Sequence, residues 1–167
     1  MFARGSVWAC LFAPILLAVG CSRSVDVKQA LEVADVTSGW YDAGIVNGKN
    51  KIVPSVTFRL KKKPDADLSG VALNVVFRHP TPPGTNVEED WDDVFIQRTY
   101  FKGGANETEP LTVRPEKGYT GDPPQSRLEI LQHGQFRDLR AHIFVRASSS
   151  QLVEIGTVDV QRQLIVR

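Results

Sequence analysis

Cysteine is almost absent from this sequence. Cys10 and Cys21 are the only two among 167 residues, and both lie within the first 21 positions. The chain beyond Cys21 therefore cannot contain a disulfide, and it offers no thiol that could act as a nucleophile. Whatever fold this part adopts must be stabilised by its hydrophobic core alone.

An excess of charge of one sign is also lacking. The chain has 20 Lys and Arg against 19 Asp and Glu, and Arg4 is the only charged residue before position 21. Residues 21–167 therefore keep 19 of each sign. A balanced surface generates no field that would attract a polyanion. We expect no nucleic-acid partner.

Motifs of catalysis and metal binding are missing. The sequence contains no H-E-x-x-H, G-x-S-x-G, phosphate-loop or C-x-x-C pattern. Its three histidines, His79, His133 and His142, are far apart, and none has a metal-type partner at close spacing. His142 falls on the polar face of a predicted strand, so we interpret it as a surface residue. We expect no enzymatic activity, no bound metal and no cofactor.

The densest group of carboxylates is the stretch EEDWDD at residues 88–93. Oxygen atoms are the ligands that Ca²⁺ prefers, but the spacing here fits no known calcium loop. We interpret the stretch as an acidic loop whose carboxylates are separate and hydrated. A calcium site is the alternative.

No apolar run is long enough to cross a bilayer as a helix. The run from Val7 to Val19 has thirteen residues, interrupted only by Pro14, whereas a span needs about 20. Arg4 precedes this run and small residues follow it. A charged start, a short apolar centre and a small-residue exit are typical of a secretory signal peptide. We predict that residues 1–20 are removed.

The end of the apolar run, AVGC at residues 18–21, resembles the lipobox of bacterial lipoproteins. In that family the cysteine is acylated and becomes the first mature residue, which would make Cys21 the lipidation site. Ala18 stands where the family usually has Leu, and Ser22 stands where Asp would be the usual inner-membrane retention signal. The resemblance implies a cell-envelope protein anchored in the membrane by its N-terminal lipid. It favours the outer membrane, with the protein facing the periplasm.

The rest of the chain shows the period-two alternation that is typical of half-buried β-strands. In residues 55–61 apolar Val56, Phe58 and Leu60 alternate with polar residues, and the pattern recurs at 71–77 and 139–146. Proline and glycine separate these stretches. Residues 126–136 are compatible with a single helical turn. In the last strand the apolar phase slips beside Gly156, which predicts a β-bulge.

These strands predict an all-β fold, an antiparallel immunoglobulin-like β-sandwich of about seven to eight strands. We place the lipoprotein signal peptide at residues 1–20, a tether after the lipidated cysteine at 21–29, and the sandwich domain at 30–167. The sandwich of about 138 residues is long enough for one domain with its own core.

One pair of predicted strands resembles a known kind of module. Residues 53–79 are similar to the two-strand core of small immunoglobulin-like modules in bacterial envelope proteins, the FxLYD and CARDB group. Lys63 stands where these modules often have Asn. Such modules are mostly adhesive or structural, and the resemblance implies a similar role. The positions that match are Leu68, Val71, Val75 and Phe77.

Two hypotheses for function remain open. The first is a non-catalytic structural or protein-interaction role, with an unidentified envelope protein as partner. The alternative is an envelope glycan-binding module that stacks exposed aromatic rings on sugars, although such rings also fill cores. The basic stretch at residues 59–63 could contact anionic lipid or lipopolysaccharide, but a charged strand end is more often a solubilising edge. The candidate sugar-binding residues are Trp40, Tyr41, Trp91 and Tyr119.

Overall fold

Residues 26–81, 87–147 and 151–165 are described in the computed structural model of the protein, with the backbone alone at Gln97. The predicted signal peptide and the predicted lipidation site Cys21 lie outside this part of the chain. Most of the described residues are in β-strands and the helices are short, so the all-β class is confirmed.

Nine strands, two short α-helices and one 3₁₀ turn make up the described chain. In order they are α1 (Val27–Ala30), β1 (Leu31–Val46), β2 (Lys49–Lys62), β3 (Gly70–His79), β4 (Glu89–Tyr100), the 3₁₀ turn (Lys102–Gly104), β5 (Leu111–Val113), β6 (Tyr119–Gly121), α2 (Arg127–Gln132), β7 (Arg140–Arg146), β8 (Val153–Asp159) and β9 (Leu164–Ile165).

The strands form two sheets around a shared core, which is a β-sandwich. The first sheet has the order β5-β2-β1-β9, with β6 also paired to β2, and the second has the order β4-β3-β7-β8. Neighbours are antiparallel except β1 and β9, which are parallel. The sequence predicts one strand at the end of the chain. The structure divides it into β8 of the second sheet and β9 of the first.

The predicted inward-facing residues fill the core. Val56, Phe58 and Leu60 of β2 are fully buried, whereas Thr57 and Arg59 are half-buried on the outer face. Full burial of one large apolar side chain contributes about 1.5–3 kcal/mol. The same alternation on β3 and β7 is confirmed, with buried Val71, Leu73, Val75, Phe77, Ala141, Ile143 and Val145.

A tight hairpin joins β1 to β2, and our strand assignment does not anticipate it. Asn47 and Gly48 form the turn, with φ of 52° and 77°. Positive φ at both central residues suits the right-handed twist of the flanking strands, and Asn-Gly is the strongest short signal for such a turn. The hairpin therefore makes β1 and β2 the long central pair of the first sheet.

The β-bulge predicted beside Gly156 is confirmed. Along β7 and β8, Ile143 pairs with Gly156 but Phe144 pairs with Glu154, which leaves Ile155 as the extra residue. A Cβ atom at Gly156 would lie 3.1 Å from Cγ2 of Val33 on β1. The bulge therefore lies where the second sheet closes against the first.

The start of the domain differs from the prediction. The sequence places residues 21–29 in a tether, but Val27–Ala30 form helix α1, and Val27 is buried in the core. Asp26 caps this helix by accepting hydrogen bonds from the amides of Lys28 and Gln29. Burial of Val27 and the cap fix this turn, so residues 27–29 belong to the folded domain and not to a tether.

Helix α1, which precedes β1 of the first sheet, contacts β8 of the second sheet, so the two sheets share one end of the sandwich here. The amide of Lys63 donates to Ala30 O at 3.0 Å, and the amide of Phe101 donates to Ser69 O at 3.0 Å. We call this end, with α1 and the last residues of β4 and β7, the α1 end, and the opposite end the hairpin end. In the described part of the chain, no helix has the length and hydrophobicity that crossing a membrane requires.

Candidate functional site

Aromatic side chains meet between the sheets near the hairpin end. The ring centroids of Trp40 and Phe136 are 4.8 Å apart, and those of Tyr119 and Phe136 are 4.7 Å apart. Trp91 extends the group, with its ring 5.1 Å from Tyr119 and 5.0 Å from His79. Four elements and a loop contribute these five residues, so the cluster joins the two sheets.

The rings of this cluster are largely covered. Trp40 is 0% exposed, and its Nε1 is buried without a hydrogen-bond partner, as is Nε1 of Trp91. Lys117 places Nζ 4.2 Å from the centroid of the Trp91 ring and donates to Trp91 O at 3.1 Å. The hydroxyl of Tyr119 accepts a hydrogen bond from the amide of Arg137. The cluster is therefore mostly buried, and Trp91 and Tyr119 are half-buried at its edge.

Tyr41 lies apart from the other three predicted sugar-binding residues. Because it follows Trp40 on β1, its side chain points to the outer face of the first sheet. There the guanidinium carbon of Arg114 stacks 3.7 Å from the Tyr41 ring centroid, and Arg114 Nε donates to Ser55 Oγ at 3.1 Å. The structure therefore brings Trp40, Trp91 and Tyr119 together, mostly in the interior, and places Tyr41 elsewhere.

The acidic stretch is not a loop, which corrects the interpretation from sequence. Residues 89–93 are part of strand β4. Glu89 pairs with Arg137 at 2.8 Å and Asp90 pairs with Arg78 at 2.7 Å. The hydrogen bond from Arg137 holds the pKa of Glu89 below its ordinary value.

These carboxylates are thus paired, where we expected them to be separate and hydrated. Asp92 accepts a hydrogen bond from the amide of Lys117, so the next acidic residue of the strand is engaged as well. Basic residues from β3 and from the segment before β7 supply the partners, and the sequence does not show that they are close. Among the described residues, no group of three or more His, Cys, Asp or Glu is placed to hold a metal ion.

His142 is buried, so its interpretation as a surface residue is wrong. It faces outward from β7 as predicted, but neighbouring carboxylates fold over it and leave it 7% exposed. Its Nδ1 lies 2.9 Å from Glu154 Oε1, within hydrogen-bonding distance. Its Nε2 lies 2.8 Å from Glu88 Oε2 but out of line for a hydrogen bond. The group ties β8 and the start of β4 to β7.

A recess of about 590 Å³ opens on the outer face of the second sheet at the α1 end. Its floor is β3, whose outward residues Gly70 and Ala72 have almost no side chain. Arg98 and Tyr100 of β4 flank the floor on one side, and Arg146 of β7 flanks it on the other. A Cβ atom on residue 70 would lie 2.9 Å from Tyr100 Cδ1, so glycine lets the Tyr100 ring pack onto the strand.

The recess has an uncompensated positive charge. No ion pair joins Arg98 or Arg146 to a carboxylate in the described ranges. Arg98 Nη1 lies 3.5 Å from the Tyr100 hydroxyl, and Nε of Arg146 is buried without a hydrogen-bond partner. Guanidinium groups without a carboxylate partner are suited to bind oxyanions, which accept two parallel hydrogen bonds from them.

Sequence reasoning missed the recess because its residues come from three strands. Arg146 occupies an outward position of an alternating stretch, which the pattern does show. Arg98 shares the phase of Val94 and Ile96, and it reaches the outer face only through the irregularity in the pairing of β4 with β3. Their closeness depends on the pairing of β3 with both β4 and β7, which no local pattern encodes. A scan of known family models, a search of curated proteins and a search of solved structures each found no match to this chain.

Proposed function

We propose that this protein is a lipid-anchored component of the cell envelope with a non-catalytic structural or protein-interaction role, and that its sandwich is immunoglobulin-like. The observation that carries the proposal is the short distance in sequence between Cys21 and the first core residue of the domain. Asp26 already caps α1, and Val27 is already in the core. Five peptide units between Cys21 and Asp26 can span at most about 18 Å.

A lipid on Cys21 would therefore hold the α1 end close to the membrane surface. The strands of β1 and β2 then lead away from the bilayer to the turn at Asn47 and Gly48. Large apolar side chains are exposed towards that far end, with Ile45 68% and Leu128 57% accessible. Exposed apolar residues at the centre of a polar surface are what protein partners contact.

The polar groups of the described chain also favour a non-catalytic role. The carboxylates near the aromatic cluster pair with arginines instead of converging on a cavity, as Glu89 does with Arg137 and Asp138 with Arg162. His79 is buried, with Nδ1 3.0 Å from Asp138 O. Paired groups of this kind fix the positions of loops and strands.

The glycan alternative has weaker support. Trp91 and Tyr119 stand side by side, 5.1 Å apart, and both are half-buried. A sugar ring needs a free aromatic face, but Lys117 lies over Trp91 and Trp40 is inaccessible. Only the outer edge of the pair is open to a ligand.

The anchor is tested by metabolic labelling with an alkyne palmitate analogue and membrane fractionation. Cys21→Ala should abolish labelling and release the protein from the membrane fraction. Cys10→Ala, a matched control within the predicted signal peptide, should leave both unchanged. Labelling and membrane retention that persist in Cys21→Ala would refute the lipoprotein assignment.

The interaction role needs a separate experiment in intact cells. A photo-crosslinking amino acid at Leu128 should give one discrete adduct with an envelope protein. The same amino acid at Thr112, on the outer face of the first sheet, is the control and should give none. Failure of Leu128 and Ile45 to form any adduct would argue against a partner at the hairpin end.

A further inference from the structure

We propose that the recess between Arg98 and Arg146 binds the phosphate of a phospholipid headgroup. The inference rests on the proposed function, because the lipid anchor is what would bring the α1 end to the bilayer. Binding of a headgroup would add a specific, non-covalent contact between the folded domain and the membrane.

Most arginines of the described chain already have a partner. Of the nine arginines in the described residues, six lie within ion-pair distance of a carboxylate. A seventh, Arg114, stacks on Tyr41 and donates to Ser55. The remaining two, Arg98 and Arg146, line the same recess. Two unpaired guanidinium groups on either side of one recess repel each other, and a shared anion would reduce that repulsion.

The shape of the recess allows an anion to reach both groups. Gly70 and Ala72 form a low floor on the central strand β3, and the arginines come from the strands on either side. Arg146 pairs directly with Ala72 across the sheet. The side chain of Arg146 is half-buried and its Nε has no partner. Because that Nε is itself inaccessible to solvent, a phosphate oxygen above the floor would accept from the terminal N–H groups of the Arg146 guanidinium, with Arg98 closing the other side.

The chemistry of the lining favours an oxyanion. The lining residues are Ser69, Gly70, Val71, Ala72, Arg98, Tyr100 and Arg146, and none of them is acidic. Guanidinium binds phosphate through a planar fork of donors. The volume of about 590 Å³ exceeds that of a lone phosphate and suits a headgroup with its glycerol, since ligand sites commonly measure about 300–1,000 Å³.

The location of the recess favours a lipid as the source of that phosphate. The turn at residues 63–69 links α1 to the recess, because the amide of Lys63 donates to Ala30 O and Ser69 lines the recess. A lipid at position 21, five residues before Asp26, would therefore be tethered to the same side of the molecule. Tyr100 is 53% exposed beside the arginines. Its amphipathic ring suits the boundary between headgroups and water.

The test uses the full chain, purified from cells in a maltoside detergent and labelled with ¹⁵N. Short-chain phosphatidylglycerol and inorganic phosphate are titrated separately, and the ¹H–¹⁵N resonance of Arg146 Nε is followed. We expect the lipid to shift this resonance saturably. Arg98→Gln and Arg146→Gln should each weaken lipid affinity about tenfold or more, as loss of a hydrogen bond to a charged group predicts. For the Arg146 variant the amides of Gly70 and Ala72 report binding.

Arg78→Gln is the matched control, because Arg78 is on the same outer face but pairs with Asp90 at 2.7 Å. Its lipid affinity should equal that of the wild type. Absence of a saturable shift, or equal affinity in the Arg98, Arg146 and Arg78 variants, would overturn the proposal. Binding of inorganic phosphate without binding of the lipid would overturn the headgroup assignment.

The outcome is separable from that of the anchor experiment. The titration measures a soluble lipid and requires no acyl chain on the protein, so the same measurement applies to Cys21→Ala. If Cys21→Ala binds the lipid and Arg146→Gln does not, the proposal that the recess binds a headgroup is supported, even if the lipid anchor is refuted. If the protein is acylated but shows no lipid binding at the recess, only the proposal for the recess is refuted.

Discussion

The indole of Trp40 meets the ring of Phe136 edge-on, with centroids 4.8 Å apart and planes inclined at 67°. Trp40 belongs to β1 of the first sheet, and Phe136 lies in the segment that leads from α2 into β7 of the second. Aromatic pairs in this geometry are stabilised by about 0.5–1.5 kcal/mol beyond the burial of their area. The contact therefore holds the two sheets together at a point where no strand pairing does.

Truncation of this contact should destabilise the protein strongly. Trp40→Ala removes a fully buried ring, and such changes cost about 3–5 kcal/mol through lost burial and the remaining cavity. Tyr41→Ala is the matched neighbour, and it should cost much less because its ring is only half-buried. Urea unfolding measures both. Equal losses would mean that the cluster is not part of the core.

The alternation along β2 predicts a second contrast. Phe58 is fully buried, so Phe58→Ala should cost about 3–5 kcal/mol, a large part of the roughly 5–15 kcal/mol that stabilises a domain. Thr57 faces outward, and its hydroxyl hydrogen-bonds the exposed Thr112 at 2.9 Å, a cross-strand pair worth about 0.2–1 kcal/mol. Thermal unfolding of Phe58→Ala and Thr57→Ala gives the comparison. A similar melting temperature for both would reverse the assigned faces of the strand.

Helix α2 should be sensitive to acid through its capping box. The backbone N–H and the hydroxyl of Ser126 hydrogen-bond with Glu129 and hold the pKa of that carboxyl below its ordinary value. A lowered acid pKa stabilises the fold at pH values above the unfolded pKa, and this stabilisation is lost as pH falls through the folded pKa. Glu129→Gln keeps an acceptor but loses the charge.

The wild type should therefore be more stable than Glu129→Gln at neutral pH, and the difference should vanish in strong acid. Chemical unfolding across that pH range measures it. Glu109→Gln, which changes an exposed glutamate outside the helices, controls for the general effect of charge. A difference between wild type and Glu129→Gln that is independent of pH would show that the carboxylate charge does not stabilise α2.

Calcium should leave the melting temperature unchanged. The carboxylates of Glu89 and Asp90 are already paired with arginines, so a metal would have to displace those partners. A site that bound the folded state alone would add about 2.7 kcal/mol of stability at a calcium concentration of a hundred times the dissociation constant. Differential scanning fluorimetry in millimolar Ca²⁺ and in EDTA provides the comparison. A rise in melting temperature with Ca²⁺ that is absent in the double variant Asp90→Asn, Asp92→Asn would establish a calcium site.

Local patterns in the sequence predict the faces of the strands and little of their partners. Period-two alternation correctly identifies Phe58 and Phe77 as core residues, and the slip beside Gly156 correctly predicts the bulge. Both depend on residues that are adjacent in the chain. The signal for the Asn47-Gly48 turn is equally local, and such a turn implies that the two strands beside it pair.

Contacts between distant segments account for the errors. His142 faces outward as its phase requires, but Glu88 and Glu154 cover it, and nothing near it in sequence shows this. Arg98 and Arg146 are 48 positions apart and approach only because β3 pairs with both of their strands. The order of strands in a sheet sets such contacts, and single-residue periodicity carries no information about that order.

The sixteen residues of β1 extend from the α1 end to the hairpin end as one strand. An extended strand already rises by about 3.3 Å per residue, close to the limit of a stretched chain, so the slack in β1 is confined to its irregularities. These lie between Ala34 and Thr37 and between Asp42 and Gly44. With Cys21 fixed in a bilayer, a pull on the hairpin turn would pass to the anchor through the covalent backbone of β1. The force would reach the lipid without first breaking the hydrogen bonds between β1 and its neighbouring strands. The domain would therefore transmit a mechanical load with little extension.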